Sequence, residues 1–259
     1  VELKKIGIKI ISLDLNKKDR FFDFLKKILK FRKLIKKYNP NIIQSWMYHS
    51  NFITLFFPRI FYNKIFWNIR HSELNTKISK KMTILLSIIC GLFSKAIPKK
   101  IIYCSEKSIE FHENVHFYSK NKTTLIYNGF SDKTYYSSKY LCSNFRKKNK
   151  IGFAGRYAKQ KNITSLLLAF SKIKKNYKNV YLYMAGKHIN HQNKELTNHV
   201  FNLKIKDRVF FLNEKKNLLE FYNGIDMLIL SSHSESFPNV VAEAMLCSTP
   251  VLSSNAGCS

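Results

Sequence analysis

The stretch SSHSESFPNVVAEAM, residues 231–245, carries two glutamates, Glu235 and Glu243, with seven residues between them. The apolar residues before it predict a strand that ends near Leu230. Pro238 marks a helix start, because its missing N–H costs nothing in a first helical turn. Open α/β sheets bind ligands outside the carboxyl ends of their strands, and the free N–H groups of a helix start suit a phosphate or a sugar oxygen. Glu243 then falls on the second turn, where a carboxylate can accept hydrogen bonds from two adjacent hydroxyls such as those of a ribose. Upstream, GFAGRYAKQKN, residues 152–162, follows another expected strand with a glycine, Gly155, and two cations, Arg156 and Lys161.

In the first half, FWNIRHS (66–72) and QSWMYHSN (44–51) each close an expected strand with aromatic and basic residues: Arg70 and His71 in one, Trp46, Tyr48 and His49 in the other. A different chemistry is written at His112-Glu113-Asn114-Val115-His116, which matches H-E-x-x-H. On a helix that spacing puts two imidazoles on one face for zinc, with the glutamate as base. No third ligand is placed by the sequence, and the pair His188 and His191 has no carboxylate companion.

The elements that must position these residues alternate between short apolar runs and longer amphipathic stretches, the pattern of βα units on a parallel sheet. Strands are expected at Gly7–Leu13, Asn41–Ser45, Ile65–Ile69, Ile101–Cys104 and Thr124–Ile126. After a Gly-, Ser-, Asn-, Tyr- and Lys-rich connection a second series follows at Ile151–Ala154, Val180–Ala185, Val209–Leu212, Met227–Leu230 and Val251–Ser253. Helices are expected at Phe21–Tyr38, Ile163–Lys175, Lys194–Leu203, Lys216–Tyr222 and Asn239–Cys247. The first of these puts Phe21, Phe24, Leu25, Ile28 and Ile35 on one face and most of its lysines on the other. Met82–Phe93 reads as a buried helix, too short to cross a bilayer. The domain division is 1–130, a connection over 131–149, and 150–259, so the fold class is α/β with two facing Rossmann-like domains.

A net charge of +29 over 259 residues would ordinarily point to nucleic acid or an anionic membrane. Here the cations are mostly Lys, spread through every helix, and Ile, Asn, Phe and Tyr are abundant too, which is the signature of compositional bias. A nucleic-acid surface would gather Arg and aromatics on one face, so no nucleic-acid partner is expected. The five cysteines lie far apart with no C-x-x-C pair, which fits a reducing cytoplasm. No N-terminal segment has a signal-peptide layout.

The Glu235–Glu243 spacing, the Phe-Pro-Asn at the helix start and the Ala-Glu-Ala-Met after it together resemble the signature of the retaining group-1 glycosyltransferases, which include many lipopolysaccharide and capsule enzymes. The strand, glycine turn, Arg156 and Lys161 resemble the opening of the second domain of that family, and Tyr127-Asn128-Gly129-Phe130 its N-G-F turn. The resemblance implies that Glu243 holds the donor ribose and Glu235 sits beside the transferred sugar. It implies that Gly155, Arg156, Lys161, Ser236, Phe237, Asn239 and Val240 complete the donor site, and that His71 faces the transferred sugar, with Trp46, His49 and Arg70 on the acceptor side. Fixed cations at 156 and 161 would stabilise a departing diphosphate without a metal, and the chain has no Asp-x-Asp pair. No cofactor is expected; the partners are a nucleoside-diphosphate sugar and a sugar or lipid-linked oligosaccharide acceptor, met in the cytoplasm at the inner face of the plasma membrane. The basic helix Phe21–Tyr38 could lie against anionic lipid or simply cover the sheet.

Relative to the family, the first strand with its glycine-rich loop has no counterpart before Val1, and the closing helices have none after Gly257. Truncation at both ends, and an inactive fragment as the alternative reading, follow as expectations. A zinc metalloprotease built on His112, Glu113 and His116 is the remote one.

Overall fold

The computed structural model describes residues 6–15, 21–74, 76, 79–138 and 149–256. Its first sheet has four parallel strands in the order β1-β2-β3-β4: β1 (Ile43–Trp46), β2 (Ile65–Ile69), β3 (Lys100–Tyr103) and β4 (Thr123–Leu125). The second has five parallel strands, β5 (Lys150–Ala154), β6 (Tyr181–Ala185), β7 (Val209–Phe211), β8 (Met227–Leu230) and β9 (Val251–Ser253), in the order β7-β6-β5-β8-β9. The chain is therefore α/β, with two Rossmann-like parallel sheets.

In the first sheet the strand order follows the chain, so every crossover runs the same way. In the second, β6 and β8 flank β5 on opposite sides. The crossovers reverse direction there, and a crevice opens outside the carboxyl ends of β5 and β8. The strands are short apolar runs because helices cover the sheets. Phe153, Leu182 and Met184 are buried against Leu166, Leu167 and Phe170 of α5 (Ile163–Asn176). Trp67, Ile69, Ile101 and Tyr103 form the matching core of the first sheet.

Helix α1 (Phe21–Tyr38) turns Ile28 inward and packs Phe31 edge-on against Phe57 at 5.1 Å. The side chain of Phe21 lies outside the described residues, as do residues 139–148 of the expected connection. Helix α2 (Met47–Thr54) follows β1 directly, with Met47 at φ 68° making the turn. Helix α3 (Lys81–Phe93) buries Leu86, Ser87, Cys90 and Gly91. Gly91 is obligatory, because a Cβ there would sit 1.6 Å from the His116 carbonyl oxygen. Helix α4 (Glu106–Val115) is capped by Ser105, whose hydroxyl accepts the Ser108 N–H at 3.2 Å. Helices α6 (Lys194–Asn202), α7 (Leu219–Gly224) and α8 (Asn239–Leu246) complete the second unit.

Two expectations are corrected. Residues 7–13 form no strand: the segment is irregular, no described strand pairs with it, and Ile6, Ile8, Ile10, Ile11 and Leu15 are exposed. Apolar alternation is only half of a strand, since a ladder needs a neighbouring strand. The helix expected from Lys216 starts at Leu219, because the Asn217 side chain accepts the Leu219 N–H at 2.8 Å and holds the approach as a turn.

Candidate functional site

The carboxyl ends of both sheets face one cavity of about 720 Å3, within the range that holds a small ligand. Trp46 stands at the end of β1, Arg70, His71 and Ser72 follow β2, Cys104 follows β3, and Asn128 follows β4. From the second sheet come Gly155, Arg156, Gln160 and Lys161 after β5, and Ser234, Glu235, Ser236, Phe237 and Asn239 after β8. The wall facing the first sheet is thus built on the β5/β8 crevice.

The β5 loop holds its form through backbone contact. Gly155 N–H donates to the Ala185 carbonyl at 2.9 Å, and a Cβ on Gly186 (φ 146°) would lie 2.1 Å from the Gly155 oxygen. Only glycine allows β6 to approach this closely. The loop leaves Arg156 exposed at the cavity and turns Lys161 inward. Lys161 Nζ donates to Glu235 Oε1 at 2.5 Å, with both side chains largely buried, and Ser232 Oγ donates to the same oxygen at 2.6 Å. Gln160 Nε2 donates to the Ser234 carbonyl at 2.5 Å, so the two loops are laced together. Pro238 stands just before the first helical residue of α8 and is buried.

On the opposite wall the Arg70 guanidinium lies 4.8 Å over the Trp46 ring and donates to Asn128 Oδ1. Asn128 Nδ2 donates in turn to Asn239 Oδ1 at 2.7 Å. His71 Nδ1 is buried with no hydrogen-bond partner among the described residues. Burial holds the His71 imidazole below its ordinary value, and the nearby Arg156 charge pushes the same way, so it is neutral at neutral pH. Short polar side chains join the two halves: Ser72 Oγ to Ser234 Oγ at 2.6 Å, and Ser236 Oγ to Cys104 Sγ at 3.1 Å and Ser105 Oγ at 3.3 Å. Phe237 meets Tyr127 and Phe130 with ring centroids 6.0 and 5.9 Å apart.

Of the residues singled out in the sequence, His71, Glu235, Gly155, Arg156, Lys161, Ser236, Phe237, Asn239, Trp46 and Arg70 line this cavity together. His49, Val240 and Glu243 do not line it. His49 is exposed on α2. Val240 packs with the core beneath α8, and Glu243 accepts the Tyr222 hydroxyl at 2.7 Å. Ser72, Cys104, Gln160 and Ser234 were not anticipated. Their common signal is position, since each follows closely on a strand of one sheet or the other.

The H-E-x-x-H residues disperse. His112 Nε2 meets the Tyr48 hydroxyl at 2.7 Å and its Nδ1 the Ser108 carbonyl at 2.6 Å; Glu113 accepts from Thr123 Oγ1; His116 Nδ1 meets Ser87 Oγ at 2.7 Å. Among the described residues no group of three or more His, Cys, Asp or Glu is placed to hold a metal ion.

Comparison with known proteins shows what the chain is similar to. The sequence model of a family described as Glycosyl transferases group 1 matches residues 143–259. That match covers the second half of the chain, which is similar to this family, and the two parallel sheets agree with the two-Rossmann-domain, GT-B, fold. Among individual proteins, the chain is similar to an uncharacterized glycosyltransferase of Methanocaldococcus jannaschii, 28% identical over 90% of this chain and 60% of that protein. It is similar to the capsular polysaccharide biosynthesis glycosyltransferase CapM of Staphylococcus aureus, 24% identical over 98% of this chain and 69% of the relative. Its fold matches that of HepE from Anabaena, solved in complex with UDP and glucose, with a TM-score of 0.74 at 18% identity over 90% of this chain and 63% of that one. The chain thus spans about 60% of the length of the first of these relatives.

Proposed function

We propose that the chain transfers a hexosyl or N-acetylhexosaminyl group from a nucleoside-diphosphate sugar, held by the 150–259 half, to an acceptor hydroxyl held by the 1–130 half. The observation that carries this reading is the convergence of Arg156, Lys161 and Glu235 at the β5/β8 crevice, opposite His71. A diphosphate leaving group gains charge as its bond to the sugar breaks, and cations fixed beforehand stabilise that charge more than mobile water can. Arg156 and Lys161 are such cations, so the proposed reaction uses no divalent ion. Retention of anomeric configuration is proposed on the family likeness.

Lys161 is engaged with Glu235. An entering diphosphate competes for the ammonium, and Glu235 is then placed to accept hydrogen bonds from the transferred sugar. His71, neutral, offers a donor or an acceptor to the same sugar from the opposite wall. Glu243 is the proposed ribose ligand, oriented by Tyr222. UDP is the leading nucleotide, since the structural neighbour from Anabaena was solved with it.

The likeness to a capsule enzyme supports a place in cell-surface polysaccharide or lipopolysaccharide assembly, on a lipid-linked acceptor at the cytoplasmic face of the membrane. No helix among the described residues is long and apolar enough to cross a bilayer. Helix α1 covers the sheet through Ile28 and Phe31 and leaves Lys26, Lys30, Lys33, Lys36 and Lys37 exposed, a face suited to peripheral contact with anionic lipid. Calorimetric titration of the protein with UDP, GDP, ADP and CDP tests the donor site. Binding of UDP or GDP is expected, and a folded protein that binds none of the four refutes the proposal.

A further inference from the structure

We propose that His112, the first histidine of the H-E-x-x-H stretch, is a positioning residue for His71, holding the Tyr48 ring beside it and, through Ser108, the His71 backbone. The inference rests on the reading of His71 as the residue that faces the transferred sugar.

The chain of contacts is short and fully directed. The Ser108 carbonyl can only accept, so the 2.6 Å contact with His112 Nδ1 requires the proton on Nδ1. Burial drives the His112 imidazole down to about 3, so the ring is neutral and its Nε2 carries a bare lone pair. The Tyr48 hydroxyl, 2.7 Å away, is then the donor to Nε2. The phenol is itself fully buried, and burial raises it above its ordinary value, so it keeps the proton it donates.

Each end of this relay reaches His71. The Tyr48 ring packs against the His71 imidazole with centroids 5.7 Å apart and planes at 34°. Ser108 Oγ donates to the His71 carbonyl at 2.6 Å, from the same residue whose own carbonyl fixes His112. His71 thus has one ring face and its backbone oxygen set by a buried unit, while its Nδ1 has no hydrogen-bond partner among the described residues. Tyr103, Phe111, His116 and Tyr118 pack against His112 by ring contact, and the Ser108 hydroxyl lies 3.5 Å from its Nδ1. Every polar atom of the His112 ring therefore serves positioning.

The test is nitrogen-resolved NMR of the histidine rings in the intact protein. His112 is expected as a single neutral tautomer, protonated on Nδ1 and unchanged from pH 5 to 8. Tyr48→Phe, which keeps the ring and removes only the donor, should shift the His71 ring nitrogens and its titration midpoint, and His112→Leu should do the same. His112→Gln, whose carbonyl can stand in for Nε2 as acceptor, should restore wild-type His71 signals. A plain core role would lower stability in these variants and leave the His71 signals alone. Unaltered His71 signals in Tyr48→Phe, or a His112 ring protonated on Nε2, overturn the proposal. UDP-glucose added to the wild type separates the two readings. Failure to perturb His71 refutes its place beside the sugar, whereas the variant series judges the relay.

Discussion

Lys161 and Glu235, 74 residues apart in the chain, close a 2.5 Å ion pair on the second-sheet wall of the cavity. Because both side chains are largely buried, removing one partner leaves a charge with poor solvation, and the loss is felt in stability as well as binding. Lys161→Met is expected to lower unfolding free energy by about 1–3 kcal/mol. Adding Glu235→Gln should recover most of it. Denaturant midpoints of wild type and the two variants check this; a Lys161→Met protein as stable as wild type would contradict the pair's importance.

The two glutamates are expected to separate on nucleotide binding. Glu243→Ala should weaken UDP and UDP-sugar alike by about 1–3 kcal/mol, the usual loss for charged hydrogen bonds. Glu235→Ala should leave UDP affinity within about threefold of wild type, a difference of less than 1 kcal/mol, while lowering turnover. Isothermal titration of both variants decides, and equal losses of UDP affinity would undo the division.

Acid stability should report on His112. Its folded value, about 3, lies below the unfolded value near 6.5, so between the two only the unfolded chain takes up the proton. The stabilisation is complete above pH 6.5 and is lost as pH falls toward 3, at about 1.4 kcal/mol per unit. His71 and His116 are lowered by burial too and add to the same trend. His112→Gln removes one of the three contributions, so its unfolding free energy should fall less steeply between pH 7 and 5. Parallel slopes would show that His112 is solvated in the folded protein.

Chelation should leave nucleotide binding untouched. With Arg156 and Lys161 supplying the positive charge, EDTA is expected to change neither the affinity for UDP nor its enthalpy. A tenfold loss of affinity, restored by a divalent ion, would transfer the diphosphate's charge compensation to a metal.

The βα alternation and the gathering of residues 155–161 with 234–239 are legible because they rest on local chemistry. Met227–Leu230 is a run of four apolar residues, Pro238 suits a helix start and not a helix interior, and Gly155 precedes the two cations by one and six positions. What stayed hidden depends on partners distant in sequence. Residues 7–13 alternate like a strand yet have no described neighbour to pair with. Helix α2 was missed because it begins at a left-handed Met47 with no capping side chain. Glu243 was placed correctly on α8, but its pairing with Tyr222, 21 residues earlier, belongs to helix packing and leaves no mark on spacing. The hydroxyls of Ser72 and Ser234 meet across 162 residues and have no local signature at all.

Those hydroxyl contacts also set the thermodynamics of parting the halves. Ser72 with Ser234, Ser236 with Cys104 and Ser105, and Asn128 with Asn239 are pairs that water can replace one for one. Phe237 adds an apolar contact, meeting Tyr127 and Phe130 where the chain leaves the first sheet. Heat capacity rises with exposed apolar area, so these polar contacts add none of the positive heat-capacity change that parting a hydrocarbon seam would. A ligand's own hydroxyls can replace these contacts as water does.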